Sequence, residues 1–177
     1  MHSELMKRIF QASLAVTLLI GVLFLFMDPM LRTSLAPYGI VSLELCAYPD
    51  SCDAMVAGWD MRQQNIAAFL LGIDYLFLLA YSAAIFAAYQ LSLAKLSGRL
   101  RVITMQIAWL APLAGVCDAI ENAYLLAGLL GSGFSSVGWP AALAATIKFA
   151  AVAVTLLWYP LALLVLRPAL NTREAMP

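Results

Sequence analysis

The chain has 177 residues, 64% of them hydrophobic and 11% charged, where an ordinary soluble domain carries about 25% charged residues; its mean hydropathy is +0.90. Ten Lys and Arg balance ten Asp and Glu, so no basic stripe or Arg-rich helix invites nucleic acid. The one histidine is His2, which argues against haem, chlorophyll or His-ligated zinc or copper in an apolar interior, and there is neither a phosphate-cradling glycine loop nor a Gly-x-Ser-x-Gly elbow.

A membrane span needs about 20 apolar residues. The first such segment runs from about residue 9 to 27 and stops at Asp28-Pro29. Lys7 and Arg8 precede it and no small-x-small cleavage site follows, so it reads as an uncleaved helix and not as a signal peptide. Its polar residues are Gln11, Ser13 and Thr17, which predicts a peripheral place in the bundle.

Residues 28–64 form a loop too long and too apolar for a plain connector. Ile40 to Ala47 reads as a short amphipathic element carrying Glu44. Ser51 or Asp50 is placed to cap a second short helix from about Cys52 to Gly58. Trp59 then falls near the outer interface, where indole is favoured. Cys46 and Cys52, in C-x5-C spacing with Pro49 between them, are spaced for a structural disulfide. A redox-active pair would want C-x-x-C spacing, which is absent.

Three more spans follow, at about residues 65–91, 102–130 and 139–166. Pro140 suits the first turn of a helix. Pro112 and Pro160 fall inside spans, where they are expected to kink the helix, as membrane helices tolerate. The fold expected is therefore all-α: one polytopic membrane domain over residues 1–177, an antiparallel bundle of four transmembrane helices with a structured extracytoplasmic loop between the first two.

Orientation follows from Lys and Arg. Lys7, Arg8, Lys95, Arg99, Arg101, Arg167 and Arg173 fall at one end of the spans. The first connection holds only Arg32 and Arg62 against Asp28, Glu44, Asp50, Asp53 and Asp60, and residues 131–138 carry no charge. Both termini are expected in the cytoplasm and the long loop outside.

Four ionisable groups lie inside spans: Asp74, Asp118, Glu121 and Lys148. Each costs roughly 2.5 kcal/mol or more at a bilayer centre, and such groups mark functional sites by default. Counted at 1.5 Å per residue, all four fall in one layer roughly 15 Å below the outer surface. Asp118, Glu121 and Asn122 share one helix face by their spacing. Ala111, Ala114 and Gly115 continue that face with small residues that permit close helix packing. Tyr81, and less directly Tyr75, can reach the layer from the second span, and Glu44 is the loop residue placed to dip towards it. Thr146 and Thr155 are weaker candidates on the fourth span. Cys117, beside Asp118 and with no histidine to activate it, reads as a packing residue.

Three carboxyl groups meet one ammonium in that layer, an excess of two negative charges. Protonated carboxyls, Arg62, a metal ion or a substrate amine would each correct it. A metal would need about six oxygen ligands, which Lys148 opposes, so no metal and no cofactor is assigned. A structural knot is the plainer alternative, with Lys148 paired to Asp118 or Asp74, and Glu121 and Asn122 bonded to nearby backbone or hydroxyls.

The runs Gly39-Ile40-Val41-Ser42-Leu43-Glu44-Leu45, Leu71-Gly72-Ile73-Asp74-Tyr75-Leu76-Phe77 with Tyr81, Asp118-Ala119-Ile120-Glu121-Asn122 and Lys148-Phe149 resemble a group of bacterial four-span integral membrane proteins. The resemblance runs from about residue 36 to 166. It implies four spans, an intact polar site and a multi-pass place in the bacterial inner membrane, and it brings no activity with it. A looser likeness to the emopamil-binding, sterol-isomerase superfamily is analogy of fold, because this chain lacks that superfamily's membrane histidine.

Three functions remain open from the sequence. The first is a site for a cation, a proton or an amphiphilic small molecule, using Asp74, Asp118, Glu121, Asn122, Lys148, Glu44, Tyr81 and Trp59. The second is a membrane-embedded lipid or isoprenoid enzyme with Glu121 as acid, Asp118 as base, and Asp74 orienting Lys148. The third is an accessory subunit with a structural charge cluster. The lipid bilayer is the expected surroundings, and a homodimer or larger membrane complex the expected protein partner.

Overall fold

The computed structural model describes residues 2–166; Arg167 and Arg173, used above for orientation, lie outside them. Four helical stretches are long and apolar enough to cross a membrane: Ser3–Leu31, Met61–Lys95, Gly98–Gly131 and Gly138–Leu164. The described residues are otherwise short helices and turns, with no strand among them.

Helix α1 (His2–Met27) runs into a tight 3-10 turn, Asp28–Leu31, at Pro29. Two of its hydroxyls are spent on its own backbone: Ser13 Oγ donates to Ile9 O at 2.6 Å and Thr17 Oγ1 to Ser13 O at 2.8 Å. In lipid, which offers no other acceptor, that local bond is how a hydroxyl is satisfied. The helix packs chiefly along α4 (Met61–Ser92), with the Phe24 and Phe77 ring centroids 5.1 Å apart. It is peripheral, with Leu19, Leu25 and Phe26 largely exposed.

Helix α4 starts four residues before the expected position, at a capping box. Asp60 Oδ1 accepts from Gln63 N at 2.7 Å, and Gln63 Oε1 accepts from Asp60 N at 3.1 Å. These reciprocal bonds satisfy orphan groups of the first turn. The third span is two helices, α5 (Gly98–Ala108) and α6 (Leu110–Ala127), broken at Trp109. Pro112 accounts for the break: it has no N–H for the Ala108 carbonyl and its ring crowds that carbonyl. A wide turn, Gly128–Ser132, then leads to α7 (Gly138–Pro160), and a second wide turn, Leu161–Leu166, begins after Pro160.

Pairings across the bundle run in opposite senses. Asp74 meets Asn122 and Tyr81 meets Asp118 between α4 and α6. Thr104 meets Trp158 and Asp118 meets Lys148 between the third span and α7. Each pair of neighbours is therefore antiparallel. Close approach of α4 and α6 depends on Gly115, because Ser82 Oγ occupies the place a Cβ there would need.

The long first loop folds into the end of the bundle. It carries α2 (Ile40–Glu44) and α3 (Cys52–Ala57). Leu31, Ala36, Leu43, Cys46, Met55 and Trp59 are buried in one apolar cluster with Leu70 and Leu71 of α4 and Ala141 and Ala142 of α7. Cys46 and Cys52 are joined by a disulfide. Asp28 anchors the loop from the other side, accepting from Ile40 N at 2.8 Å. Gly39 is held at φ +58°, and the Asp28 carboxylate fills the space a side chain there would require. Asp53 Oδ1 accepts from Phe134 N at 3.1 Å and ties the loop to the link before α7.

Two loop expectations need correction. Ser51 stands at the N-cap of α3, yet neither it nor Asp50 caps that helix through its side chain, and the helix ends at Ala57; Asp50 instead takes a left-handed turn conformation at φ +50°. Trp59 is 3% exposed, so its ring is covered by the protein's own apolar cluster and not left free to face an interface, and its Nε1 donates to Leu31 O at 2.9 Å. A buried indole needs one acceptor, and the frayed end of the first span provides it.

Candidate functional site

Lys148, on α7, points inward and is 6% exposed. Its Nζ lies 2.8 Å from Glu121 Oε2, 3.1 Å from Asp118 Oδ1 and 3.4 Å from Glu44 Oε2. Two of these acids come from α6, one helical turn apart, and the third from α2 in the loop. One ammonium thus sits among three carboxyl groups, where a bound cation would otherwise sit. The contact with Asp118 has hydrogen-bond geometry. The contact with Glu121 Oε2 is a close ion pair, and the other Glu121 oxygen has no partner.

Asp118 is fully engaged, because its second oxygen accepts from Tyr81 OH at 2.9 Å. Asp74 takes a different partner from the one expected: it accepts from Asn122 Nδ2 at 2.6 Å, and Lys148 pairs with Glu44, Asp118 and Glu121 instead. Glu121 and Asn122 thus meet Lys148 and Asp74, and not the backbone or hydroxyl partners of the structural alternative. Arg62 is exposed at the start of α4, away from the buried cluster. Tyr75 OH donates to Ala119 O at 3.2 Å, so it clamps α4 to α6 from the side. Thr146 bonds Tyr48 OH at 2.7 Å, and Thr155 bonds its own helix at Val152 O. Cys117 is a buried free thiol.

Glu44, Asp118 and Glu121 therefore share one ammonium, and Asp74 adds a fourth carboxyl group beside them with no cation of its own. In a dry interior this set is neutral only with three protons or their equivalent in cations added. Burial pushes the Glu44 carboxyl above its ordinary range, and the Lys148 ammonium only partly opposes this.

A cavity of about 450 Å³ opens beside the cluster, between the end of α1, the loop and the stretch of α4 that carries Leu70, Leu71 and Asp74. Its walls are apolar, chiefly Phe24, Leu25, Ile40, Val41, Leu70 and Leu71. Glu44 and Asp74 line it inside, and Asp28 and Arg32, paired at 3.3 Å, lie at its rim. Glu44 thus faces the cavity and Lys148 together. The part played by α1 in this wall was not foreseen: its lining residues carry no charge, and nothing in an apolar run distinguishes a lipid-facing Leu from one facing a cavity. Comparison with protein-family profiles, curated proteins and solved structures finds no match.

Proposed function

We propose that the chain is a multi-pass inner-membrane protein of bacterial type, with cytoplasmic termini and the long loop on the outer side, whose polar cluster is a binding site for a cation, a proton or an amphiphilic small molecule. The orientation rests on the Lys and Arg at Lys7, Arg8, Lys95, Arg99 and Arg101. The outer side is oxidising in such cells, which suits the Cys46–Cys52 disulfide. The likeness to bacterial four-span proteins belongs to the same reading.

One observation carries the binding reading. A mostly apolar cavity runs from the loop end inward to two carboxyl groups, Glu44 and Asp74, that adjoin the buried Lys148 cluster. A purely structural knot needs one acid for one lysine and no cavity beside it. An acid–base enzyme fits less well, because Asp118, the base of that reading, is 2% exposed, is held by Tyr81 and Lys148, and does not line the cavity.

The test is a high-resolution density map of the protein purified in native lipid. A density filling the cavity and ending at Glu44 or Asp74 is expected. A collapsed, empty cavity, with each carboxyl paired within the protein, would move the assignment to an accessory role with a structural charge cluster.

A further inference from the structure

We infer that the ligand of this site is an apolar amine: a primary ammonium group seated between Glu44 and Asp74, with a hydrocarbon body along the cavity wall. This rests on the binding reading above and names its ligand class.

The cluster holds buried acceptor atoms without hydrogen bonds. Among the described residues, the buried side-chain polar atoms with no hydrogen-bond partner are Glu44 Oε2, both oxygens of Glu121, and Asn122 Oδ1. All four are acceptors of one acidic cluster; Lys148 Nζ faces two of them, Glu121 Oε2 at 2.8 Å and Glu44 Oε2 at 3.4 Å, and Glu44 is the one of these residues that lines the cavity. The acids at the cavity, Glu44 and Asp74, would oppose a ligand bringing a further acceptor or a negative charge. One bringing positive charge and several N–H donors suits them, and a primary ammonium carries three donors.

The cavity supplies the second half. Its volume is that of a small-molecule site. Its walls are carbon, from Phe24, Leu25, Ile40, Val41, Leu70 and Leu71, and its inner polar groups are acids. The cation at its rim, Arg32, is already paired with Asp28. A bare metal ion would gain nothing from such walls, and no group of three His, Cys, Asp or Glu arranged to hold a metal occurs among the described residues. A neutral amphiphile would fill the walls and leave the acids unpaired. Asp74 is held from one side by Asn122, and Glu44 by Lys148, so each carboxyl is fixed in place while it faces the cavity. The pair is preorganised for a cation between them, which limits what binding must order.

The experiment is equilibrium dialysis of radiolabelled dodecylamine at neutral pH, against lipid nanodiscs holding the full-length protein and against empty nanodiscs. Dodecanol and dodecyl phosphate, of the same chain length, are run alongside. A saturable excess of dodecylamine over empty discs is expected, with the alcohol and the phosphate weaker by about tenfold or more, since each forgoes the buried charge pairing. Glu44→Gln and Asp74→Asn should each weaken amine binding by about tenfold or more. Leu71→Trp, which fills the cavity and leaves the acids in place, should abolish it. Monodisperse elution and a retained disulfide establish folding for each variant, and the two acid variants are independent, so one that fails to fold leaves the other.

Two failures are separable. If dodecanol or dodecyl phosphate binds as tightly as the amine, and Leu71→Trp removes that binding, the amine assignment is overturned and the site stands. If no probe shows a saturable excess, or Leu71→Trp leaves binding unchanged, the cavity is not a ligand site and both readings fall.

Discussion

The first helix and the loop that follows it invert the usual relation between span and connector. Helix α1 forms the most apolar span of the four, yet only 6% of its apolar stretch is buried, against 39% in each of the others. The loop is punctuated by Pro, Gly and acids, yet it places Leu31, Ala36 and Leu43 at 0% exposure. The contrast separates two jobs of apolar side chains. Those of α1 satisfy a lipid solvent and need touch little protein. Those of the loop are driven together out of water and form the largest apolar cluster described. The loop is thus a plug in the bundle, and it carries Glu44 to Lys148 as its polar end.

The sharpest way to break that plug is to remove its ionic seat. Lys148→Met leaves Glu44, Asp118 and Glu121 facing one another without their shared cation. Loss of one partner from a buried ion pair costs about 3–5 kcal/mol. A large fall in thermal midpoint is expected, partly restored when Glu121→Gln is added to remove one of the stranded charges. If Lys148→Met melts like the parent, the acids take up protons freely and Lys148 does not hold the loop.

Next in size is the apolar face of the plug. Leu43, one residue before Glu44, is fully buried beneath the loop. Leu43→Ala removes that packing and opens a void, an effect of about 2–5 kcal/mol. Reversible denaturation in micelles measures it, and a change near zero would mean that the loop rests on the bundle without being part of its core.

The sequence exposed some of this arrangement and hid the rest for a definable reason. Span length and the expense of charge in hydrocarbon marked four helices and singled out Asp118, Glu121 and Lys148, which do meet. Counting residues gives depth along a helix. It gives no rotation of one helix about its axis relative to another. Asp74 sits at a depth that allowed a Lys148 pairing, yet its direction gives it to Asn122. Glu44 stood out as an acid among apolar neighbours, and its position was legible for that reason. The burial of Trp59 was not legible, because an indole near a span end fits an exposed anchor and a buried cluster equally well, and its acceptor, the Leu31 carbonyl, is distant in sequence. The early start of α4 was readable, since Asp60 and Gln63 stand three apart ahead of an apolar run, the spacing of a capping box.

The smallest expected effect lies on the other side of the comparison. Leu19, in the middle of α1, is 72% exposed to what would be lipid. In water a Leu→Ala change strips transfer free energy from the folded state. In a bilayer the same side chain faces hydrocarbon whether or not α1 is docked on α4, so the change falls on both states alike. Leu19→Ala should therefore move stability in nanodiscs by about 0.5 kcal/mol or less, against the several expected of Leu43→Ala. A loss of 2 kcal/mol or more at Leu19 (roughly the smallest value for a buried leucine) would show that this face is covered by protein. A second copy of the chain is then the first occupant to test, by cross-linking through a cysteine placed at residue 19.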